Sequence, residues 1–476
     1  MNPTEQQLNQ LLESGDLDTA QRLVDSLDIS SLDNVKILQL SAMVYRRLND
    51  LDQVAAFLSK ANNLEPDNFS LAIIYSQDLI MLGQLDMADA VLDSLPQTQQ
   101  NHAYLLFQKS KILYQRKDFR STTKLLVNLA KQYPDFAMAR MELAHALLME
   151  GKWRAGWEAY EWRFHLPKTQ NMFPKFKMPH WDGSENLPHI LLVGDQGYGD
   201  CFQFARYLPL VAQRCQRVSL IRSEPLARLF DAIPGLSSCC VKWEDTPLTS
   251  AYCTLSGLPR LFSTRPDTIP DCSGLLKADK KEVARWQKRL QEPGNDAKLR
   301  IGMAWSGRLE FENNYLRTVP FEKLETLLAI PGLQFFSLQV GAPASQAQTQ
   351  VKDKNITDLS MELTDFAETA AAMEALDLII TTDTSVAHLA GTLGRPTWVL
   401  LSYAPDWRWG SEGSTAPWYP TMRLFRQDQP GNWQTVIDAC KTMLQNIASA
   451  NAPLAALSSV MQQDNDDTSN PYGRYF

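Results

Sequence analysis

Apolar residues recur at helical spacing through the first third of the 476-residue chain, and a turn residue interrupts them at intervals of 34 residues. The turn positions that stay in register are Gly15, Asn49, Gly83, Lys117 and Gly151. Five residues after each turn stands a small or short residue, namely Ala20, Val54, Ala88, Thr122 and Gly156. Small side chains allow two helices to cross closely, so this period predicts a stack of helix pairs over residues 1–170.

The pattern resembles the tetratricopeptide repeat, which implies an α-solenoid with a concave face for a peptide or protein partner. The last unit runs into an aromatic segment, GKWRAGWEAYEWRFHLP, at residues 151–167. These aromatic side chains either stack on a ligand or cover the open end of the solenoid and dock it on the C-terminal part of the chain, and we expect the second. They are Trp153, Trp157, Tyr160 and Trp162. A proline-rich linker is expected at 171–188.

From residue 189 onward, short apolar runs alternate with helical segments. HILLV, CFQFARYLPLVAQRC and RVSLI read as strand, helix and strand, and a second block contains LRIGMAWSG, LQFFSL and DLIIT. This alternation predicts two parallel sheets, one in a half at 189–280 and one in a half at 281–447. A ligand would lie between the carboxyl ends of their strands. The polar residues 448–476 are expected to form a flexible tail.

Composition excludes several classes of function. The chain has 46 Lys and Arg against 54 Asp and Glu, a formal net charge of −8, so no basic surface for nucleic acid is expected. No run of about 18 apolar residues occurs and the first residues lack a signal-peptide pattern, which predicts a cytoplasmic protein without a membrane span. The cysteines and histidines lack ligand spacing, so no metal site and no cofactor are predicted.

The stretch TTDTSVAHLAGTLGRPTWVLL, residues 381–401, supplies the first candidate chemistry. A strand ends there and a helix must start near Asp383 or Thr384, which leaves N–H groups without intrahelical partners beside a partial positive charge. The hydroxyls of Thr384 and Ser385 add hydrogen-bond donors, and His388 lies one turn further on the same helix face. The junction predicts phosphate binding, unless Asp383 only caps the helix and His388 is a core residue.

Several segments, in chain order, carry a family resemblance. DTSVAHLAGTLGRPTWVLL is similar to the D-[ST]-x-x-x-H-x-x-x-x-x-G-x-P signature of heptosyltransferase-like enzymes of glycosyltransferase family nine, and GYGDCFQFARYLPL resembles the G-D and L-P of their first half. Together with AWSG, SLQ, DFAETAA, PDWRWG, PWYPTMRLFRQ and GNW, these segments resemble bacterial tetratricopeptide-repeat glycosyltransferases, members of which attach sugars to flagellin. Ser385 replaces the glycine usual in heptosyltransferases, which weighs against heptose as the donor, and Cys201 replaces a frequent threonine.

The resemblance implies a GT-B fold of two Rossmann-like halves that inverts the anomeric centre without a metal. Asp200, in the G-D motif, would be the base for the acceptor proton, unless it only caps the following helix. Gln196, Gly197 and Arg206 would line the acceptor side of the cleft. The donor-binding residues would be Ser306, Arg308, Arg317, Asp383, Thr384, Ser385, His388, Trp407 and Arg408, with Arg423 and Arg426 as weaker candidates.

Some of these assignments have structural alternatives. Arg308 and Arg317 could be solvated surface charges, and Trp407 could be a packed loop anchor instead of a flat surface for a base or sugar. No position of the set is a predicted metal ligand, and the nucleotide-sugar is a substrate, not a cofactor.

The sequence thus predicts an α-solenoid followed by an α/β pair of domains. The predicted function is inverting, metal-independent transfer of a sugar from a nucleotide-sugar to a protein hydroxyl, with flagellin presented by the repeats. One alternative is a glycosyltransferase of lipopolysaccharide or another surface glycan. Another is a repeat scaffold whose transferase part no longer catalyses, although the presence of Asp200, Arg317, Asp383 and His388 argues against it.

Overall fold

The computed structural model divides into two compact units, Met1–Leu143 and Ala144–Phe476. The sequence predicts the first boundary at residue 170, but the division falls earlier. None of the helices in the described part of the chain is long and apolar enough to cross a membrane. The described residues are 2–167, 169, 177–195, 197–272, 274–291, 299–309, 311, 313–349 and 355–463.

The first unit consists of antiparallel helix pairs, as the 34-residue period predicts. A side-chain oxygen of Asn34, Asp50, Asn68 or Asp118 caps the start of a helix. The helices are α1 Pro3–Ser14, α2 Leu17–Asp25, α3 Val35–Arg47, α4 Leu51–Leu64, α5 Phe69–Met81, α6 Leu85–Asp93, α7 Ala103–Gln115 and α8 Phe119–Gln132, followed by α9 Ala137–Met149 across the division and α10 Trp153–Tyr160.

The turn inside each pair has the same left-handed backbone. In each turn, the residue after the left-handed one donates its amide to a carbonyl five residues back, as Asp50 N does to Tyr45 O at 2.9 Å. This is the hydrogen bond of a Schellman motif, which ends the first helix and reverses the chain. The φ angles are 78° at Gly15, 60° at Asn49, 72° at Gly83, 60° at Lys117 and 74° at Gly151.

Asn49 and Lys117 are non-glycine residues in this left-handed conformation, and glycine adopts it without a Cβ penalty. We expect Asn49→Gly and Lys117→Gly each to raise the free energy of unfolding by up to about 1 kcal/mol, with the smaller gain at Asn49 because asparagine tolerates this region. Urea unfolding monitored by circular dichroism measures the change. Gly83→Ala is the matched control and should lower stability; a loss in the two glycine variants would contradict the prediction.

The small residues lie where the helices cross, as predicted. Ala20, Val54 and Ala88 have no exposed surface, and Thr122 is buried as well. At Gly156 of α10, a Cβ atom would lie 2.7 Å from Cγ of Leu148 on α9, closer than two carbon atoms can approach. Only glycine therefore fits this crossing.

Helix α10 packs against the α/β elements of its own unit through its aromatic face. Trp153 stacks on Trp418 with ring centroids 5.6 Å apart, and Trp157 meets Trp407 edge to face at 5.2 Å. The indole N–H of Trp157 donates to the carbonyl of Thr264 at 3.0 Å. The predicted docking role of this aromatic segment is confirmed for α10, which explains why the helix belongs to the second unit.

Two parallel sheets and the helices between their strands form the rest of the second unit, which confirms the predicted α/β architecture. The first sheet has the order β3-β2-β1-β4 and the second has the order β10-β9-β8-β5-β6-β7. The strands are β1 Ile190–Val193, β2 Val218–Ile221, β3 Ser238–Cys240, β4 Ala251–Thr254, β5 Leu299–Ala304, β6 Leu333–Ser337, β7 Ile356–Asp358, β8 Leu378–Thr382, β9 Thr397–Leu401 and β10 Met422–Arg426.

Helices connect these strands and cover the sheets. Every registered strand pair is parallel, so each connection must cross over through a helix or loop. The helices are α11 Tyr198–Phe204, α12 Leu208–Arg214, α13 Ala227–Phe230, α14 Leu258–Leu261, α15 Lys280–Arg289, α16 Asn314–Arg317, α17 Phe321–Leu328, α18 Ser345–Thr349, α19 Phe366–Glu374, α20 Ser385–Thr392, α21 Trp433–Ser449 and α22 Pro453–Gln463.

The strand orders define where a ligand can bind. In the first sheet the chain leaves β1 toward β2 and returns on the other side as β4; in the second it leaves β5 toward β6 and returns as β8. At such switch points, the loops after the two central strands separate and leave a crevice at the carboxyl edge. The crevices therefore lie after β1 and β4, and after β5 and β8.

The flexible tail predicted for 448–476 is partly wrong. Residues 453–463 form α22, whose Leu457 side chain joins the buried core of the second sheet. Ala456 and Val460 pack against the same core, so the helix has an apolar face. The remainder of the predicted tail, residues 464–476, lies outside the described residues.

Candidate active site

Helix α20 begins at the switch point of the second sheet, and its first turn is open. Thr384 is the N-cap residue, in extended conformation with φ −142° and ψ 175°, and its side chain makes no capping hydrogen bond among the described residues. Asp383 stands before the cap, so it does not cap the helix in this structure. The first N–H groups of α20 therefore remain available to an anion near Thr384 and Ser385.

The carboxyl group of Asp383 lies in an electrostatically unusual place. Burial raises its pKa above the ordinary value and the negative charge of Asp406 raises it further, while the cation of Arg317 acts in the opposite direction. Burial in turn lowers the pKa of Arg317, although the charges of Asp383 and Asp406 favour its cation. Arg317 is half-buried, and the charges of both carboxylates act on its guanidinium.

Local packing holds the Arg317 guanidinium in that position. Its Nε donates to Oδ1 of Asn314 at 3.3 Å, and its carbon lies 4.4 Å from the ring centroid of Phe311. A Cβ atom at Gly307 would come within 2.5 Å of Nη2, so a side chain at this position would displace the guanidinium. Arg308 is exposed, and its guanidinium carbon lies 5.8 Å from the ring of Tyr198 on α11.

Ser306 organises the loop after β5 in this structure. Its amide and that of Trp305 donate to Oε1 of Gln339 at 2.9 and 3.0 Å. Its hydroxyl lies 3.0 Å from Oγ1 of Thr318, and the side chain is buried. These contacts tie Ser306 to the protein; its predicted role in donor binding stays a prediction.

His388 is buried where α20 meets α11. Its Nδ1 lies 2.9 Å from the hydroxyl of Tyr419, and its ring stacks on Trp409 with centroids 5.3 Å apart. A Cβ atom at Gly199 of α11 would lie 2.7 Å from Cδ2 of the ring. Burial, reinforced by the charge of Arg408, lowers the pKa of His388 to about 3. This arrangement matches the alternative in which His388 is a core residue.

The neutral His388 ring makes stability depend on pH. The unfolded chain takes up a proton near the ordinary pKa of 6.5, whereas the folded protein does so only near 3, so stability is lost as the pH falls below 6.5. We expect wild type to lose about 1 kcal/mol more per pH unit between pH 6 and 5 than His388→Gln. Chemical denaturation of both proteins measures the two slopes, and other titrating groups cancel in the comparison. Parallel slopes would contradict the assignment.

Arg408 is the centre of the contact between the two sheets' carboxyl edges. Its Nη2 donates to Oδ1 of Asp200 at 2.6 Å, and its Nε donates to Oε1 of Gln203 at 2.6 Å. Its Nη1 donates to Oδ1 of Asp406 at 2.8 Å, and the hydroxyl of Tyr160 lies 3.4 Å from Nη2. A residue expected to bind the donor is thus bonded to the predicted base, which lies in the first turn of α11 and does not cap it.

A second carboxylate lies beside Asp200. Asp195 follows β1, and its oxygens accept hydrogen bonds from the amide and hydroxyl of Ser256, which follows β4. This link spans the switch point of the first sheet. Burial and the charge of Asp200 raise the pKa of Asp195 to about 7. Asp195 is absent from the residues predicted from the sequence, although it lies in the same glycine-rich turn, GDQGYGD, as Asp200.

Trp407 does not offer a flat surface to a ligand in this structure. It has no exposed surface and lies among Trp153, Trp157, Tyr160 and Trp418, so the packed-anchor alternative is correct here. The sequence suggests an exposed aromatic residue because PDWRWG reads as a loop. The loop is instead anchored by the burial of its tryptophan side chains.

The predicted cleft residues have different surroundings. Arg206 is buried; its Nε donates to the carbonyl of Gln203 at 2.8 Å and its Nη1 to that of Trp418 at 2.9 Å. Gly197 is the N-cap of α11, and a Cβ atom there would lie 2.7 Å from Oδ2 of Asp200. Gln196 lies outside the described residues.

The two weaker arginine candidates support loops. Arg423 donates to the carbonyl of Val460 at 3.4 Å, and Arg426 donates to carbonyls of the 409–413 loop. Within the described residues, no three His, Cys, Asp or Glu side chains are grouped as ligands for a metal ion.

The chain is similar to several known proteins. No family model matches the chain. The chain is similar to Protein FlbA of Caulobacter vibrioides, with 28% identity over 345 residues, 66% of this chain and 56% of that protein. The chain therefore spans just over half the length of this curated relative.

Three solved structures are also similar to it. The glycosyl transferase family 9 from Veillonella parvula aligns over 59% of this chain and 97% of its own, with 12% identity and a TM-score of 0.39. MamA from Desulfovibrio magneticus aligns over 36% of this chain and 99% of its own, with 13% identity and a TM-score of 0.31. A tetratricopeptide repeat protein from Parabacteroides merdae aligns over 33% of this chain and 62% of its own, with 14% identity and a TM-score of 0.30. The chain resembles repeat proteins and a family 9 glycosyltransferase. Since all three scores are below 0.5, the fold rests on the helix pairs and strand orders described above.

Proposed function

We propose that this protein is an inverting glycosyltransferase that moves a sugar from a nucleotide-sugar to a protein hydroxyl, without a metal. The observation that carries the proposal is the meeting of two groups at the carboxyl edges of the two parallel sheets. Asp200 comes from the first sheet's α11, and the open first turn of α20, with Arg317 beside it, comes from the second.

These groups supply what the reaction requires. In an inverting transfer, the acceptor hydroxyl attacks the anomeric carbon, the bond from that carbon to the phosphate oxygen breaks, and the phosphate leaves with the electron pair. Asp200 takes the acceptor proton. The N–H groups of α20 and the cation of Arg317 stabilise the negative charge that develops on the leaving phosphate.

We propose that the sugar acceptor is a protein, and specifically flagellin. Helix pairs repeat through Met1–Leu143, and stacked repeats of this kind provide an extended surface for another polypeptide. Tethering the acceptor to the chain that carries the cleft would raise its effective concentration at the reacting carbon. A surface glycan would gain no such advantage from the repeats.

Binding and transfer test the proposal separately. Native mass spectrometry against UDP-, GDP-, ADP- and CMP-linked sugars should identify one bound donor class. With that donor, the full chain should add a single sugar mass to purified flagellin in buffer that contains a chelator. Failure to bind any nucleotide would refute the transferase assignment. Transfer to a lipid-linked glycan but not to flagellin would refute the protein acceptor.

A further inference from the structure

We propose that Arg408 and Asp406 act together as a positioning pair for Asp200, in which Arg408 fixes one carboxylate oxygen and Asp406 offsets the charge of Arg408. This inference rests on the proposed role of Asp200 as the base. It assigns Arg408 to the orientation of the base, whereas the sequence places it at the donor.

Geometry shows how Asp200 is oriented. Its Oδ1 receives Nη2 of Arg408 at 2.6 Å, while its Oδ2 faces the position where Gly197 has no side chain. The Asp200 side chain is 30% exposed and that of Arg408 is 10% exposed. An acceptor hydroxyl can therefore reach the carboxylate, while the guanidinium behind it stays within the protein.

Each nitrogen of the Arg408 guanidinium donates a hydrogen bond. Nε donates to Gln203, and Nη1 donates to Asp406, whose Oδ1 also accepts the backbone amide of Arg408 at 3.0 Å. Gln203 and Asp200 lie on α11, so one arginine sets the distance between α11 and the loop after β9. A fixed donor of this kind leaves the carboxylate one orientation, which is what a base needs.

Asp406 is needed because an uncompensated buried cation would weaken the base. An opposite charge at hydrogen-bond distance stabilises a carboxylate and makes it a poorer proton acceptor. The Arg408 cation forms ion pairs with both Asp200 and Asp406, and the charge of Asp406 weakens its effect on Asp200. Although burial alone would raise the pKa of Asp406, Arg408 holds it below its ordinary value. Other titratable or charged groups that interact with this cluster are Tyr160, Asp195, Cys201, His145, Arg163, Arg317, Asp383 and His388.

Three variants separate charge from orientation. Arg408→Gln should lower kcat by about 10²-fold and move the acid limb of the pH–rate profile to higher pH. Asp406→Asn should move that limb to lower pH. Arg408→Lys keeps the charge but loses the fork geometry, so it should lower kcat and leave the limb near that of wild type. Arg228→Gln, which removes an exposed contact to Asp365 and Glu368, is the control and should change neither quantity.

A direct titration distinguishes failure of this inference from failure of the proposed function. The full chain is labelled with ¹³Cγ-aspartate, and the Asp200 signal is the one that Asp200→Asn removes. Its titration needs no donor or acceptor. Opposite shifts in Arg408→Gln and Asp406→Asn support the positioning pair, even if flagellin is not modified.

An Asp200 signal that titrates alike in all of these proteins would overturn the inference, and so would shifts of the same sign. If Arg408→Gln does not fold, Asp406→Asn and Arg408→Lys still decide, because each retains a cation beside Asp200. Wild-type kcat in Arg408→Lys would show that orientation by the guanidinium is not needed, which also overturns it.

Discussion

Replacement of Asp200 by asparagine is expected to lower the rate of sugar transfer by about 10²- to 10⁴-fold, with little change in donor affinity. Asparagine has nearly the same shape and can still accept the hydrogen bond from Arg408, so the contact between the sheets should persist. It cannot take a proton from the acceptor hydroxyl. The measurement is kcat for flagellin at saturating donor, with calorimetry for donor binding.

Asp231→Asn is the matched control for this variant. Asp231 also pairs with an arginine of the first half, Arg222, at 2.5 Å, but it is 50% exposed and distant from α20 in the chain. Its loss should leave kcat within about twofold of wild type. A folded Asp200→Asn protein that transfers sugar at the wild-type rate would remove Asp200 from the mechanism.

The second large effect concerns the leaving phosphate. We expect Arg317→Ala combined with Thr384→Ala to weaken binding of the intact nucleotide by about 10²-fold, while binding of the bare nucleoside changes little. A charged hydrogen bond contributes about 1.5–3 kcal/mol and a neutral one about 1 kcal/mol, and both would be made to phosphate oxygens. Calorimetric titration with nucleotide and nucleoside gives the two affinities.

Arg289→Ala controls for the loss of an arginine, since Arg289 forms an ion pair with Glu362 on the surface of the second half. Its nucleotide affinity should equal that of wild type. Equal losses for nucleotide and nucleoside in the double variant would mean that Arg317 and Thr384 do not face the phosphates. The predicted Arg308 contact can be tested in the same series.

Local rules predicted the repeats well because each repeat is specified by its own residues. A left-handed turn favours glycine or asparagine, and a close helix crossing requires a small side chain, so both recur at a fixed interval. Gly15 and Ala20 carry that information without reference to the rest of the chain. Lys117 shows the limit, because only its place in the 34-residue period, and not its residue type, marks it as a turn residue.

The site was harder to predict because its contacts join distant parts of the chain. The motif around Asp200 was found, and so was Arg408, but 208 residues separate the two partners of this ion pair. Asp195 and Ser256 are likewise brought together only by the order of the strands. A motif can identify a candidate residue, but a single sequence does not show which charged side chain will pair with that residue in the fold.

Sequence motifs also could not predict which of these side chains are buried. The sequence predicts Trp407 as a flat surface for a base or sugar, and places His388 on the same helix face as Thr384. Both are buried by residues from other elements, Trp153 for the first and Gly199 for the second. The signal that favours this outcome is the unusual density of tryptophan in 153–162 and 407–418, which indicates mutual packing as readily as ligand contact.

The stacked pair of Trp153 and Trp418 gives the protein an optical signature. Two indoles whose centroids are 5.6 Å apart, with planes 12° from parallel, couple their electronic transitions and lend each other rotational strength. Circular dichroism in the indole bands should therefore contain a paired positive and negative signal that neither residue produces alone. Because Trp153 belongs to α10 and Trp418 to the segment before β10, the part of that signal that is lost in Trp153→Phe reports whether α10 keeps its contact with this segment while nucleotide or acceptor binds.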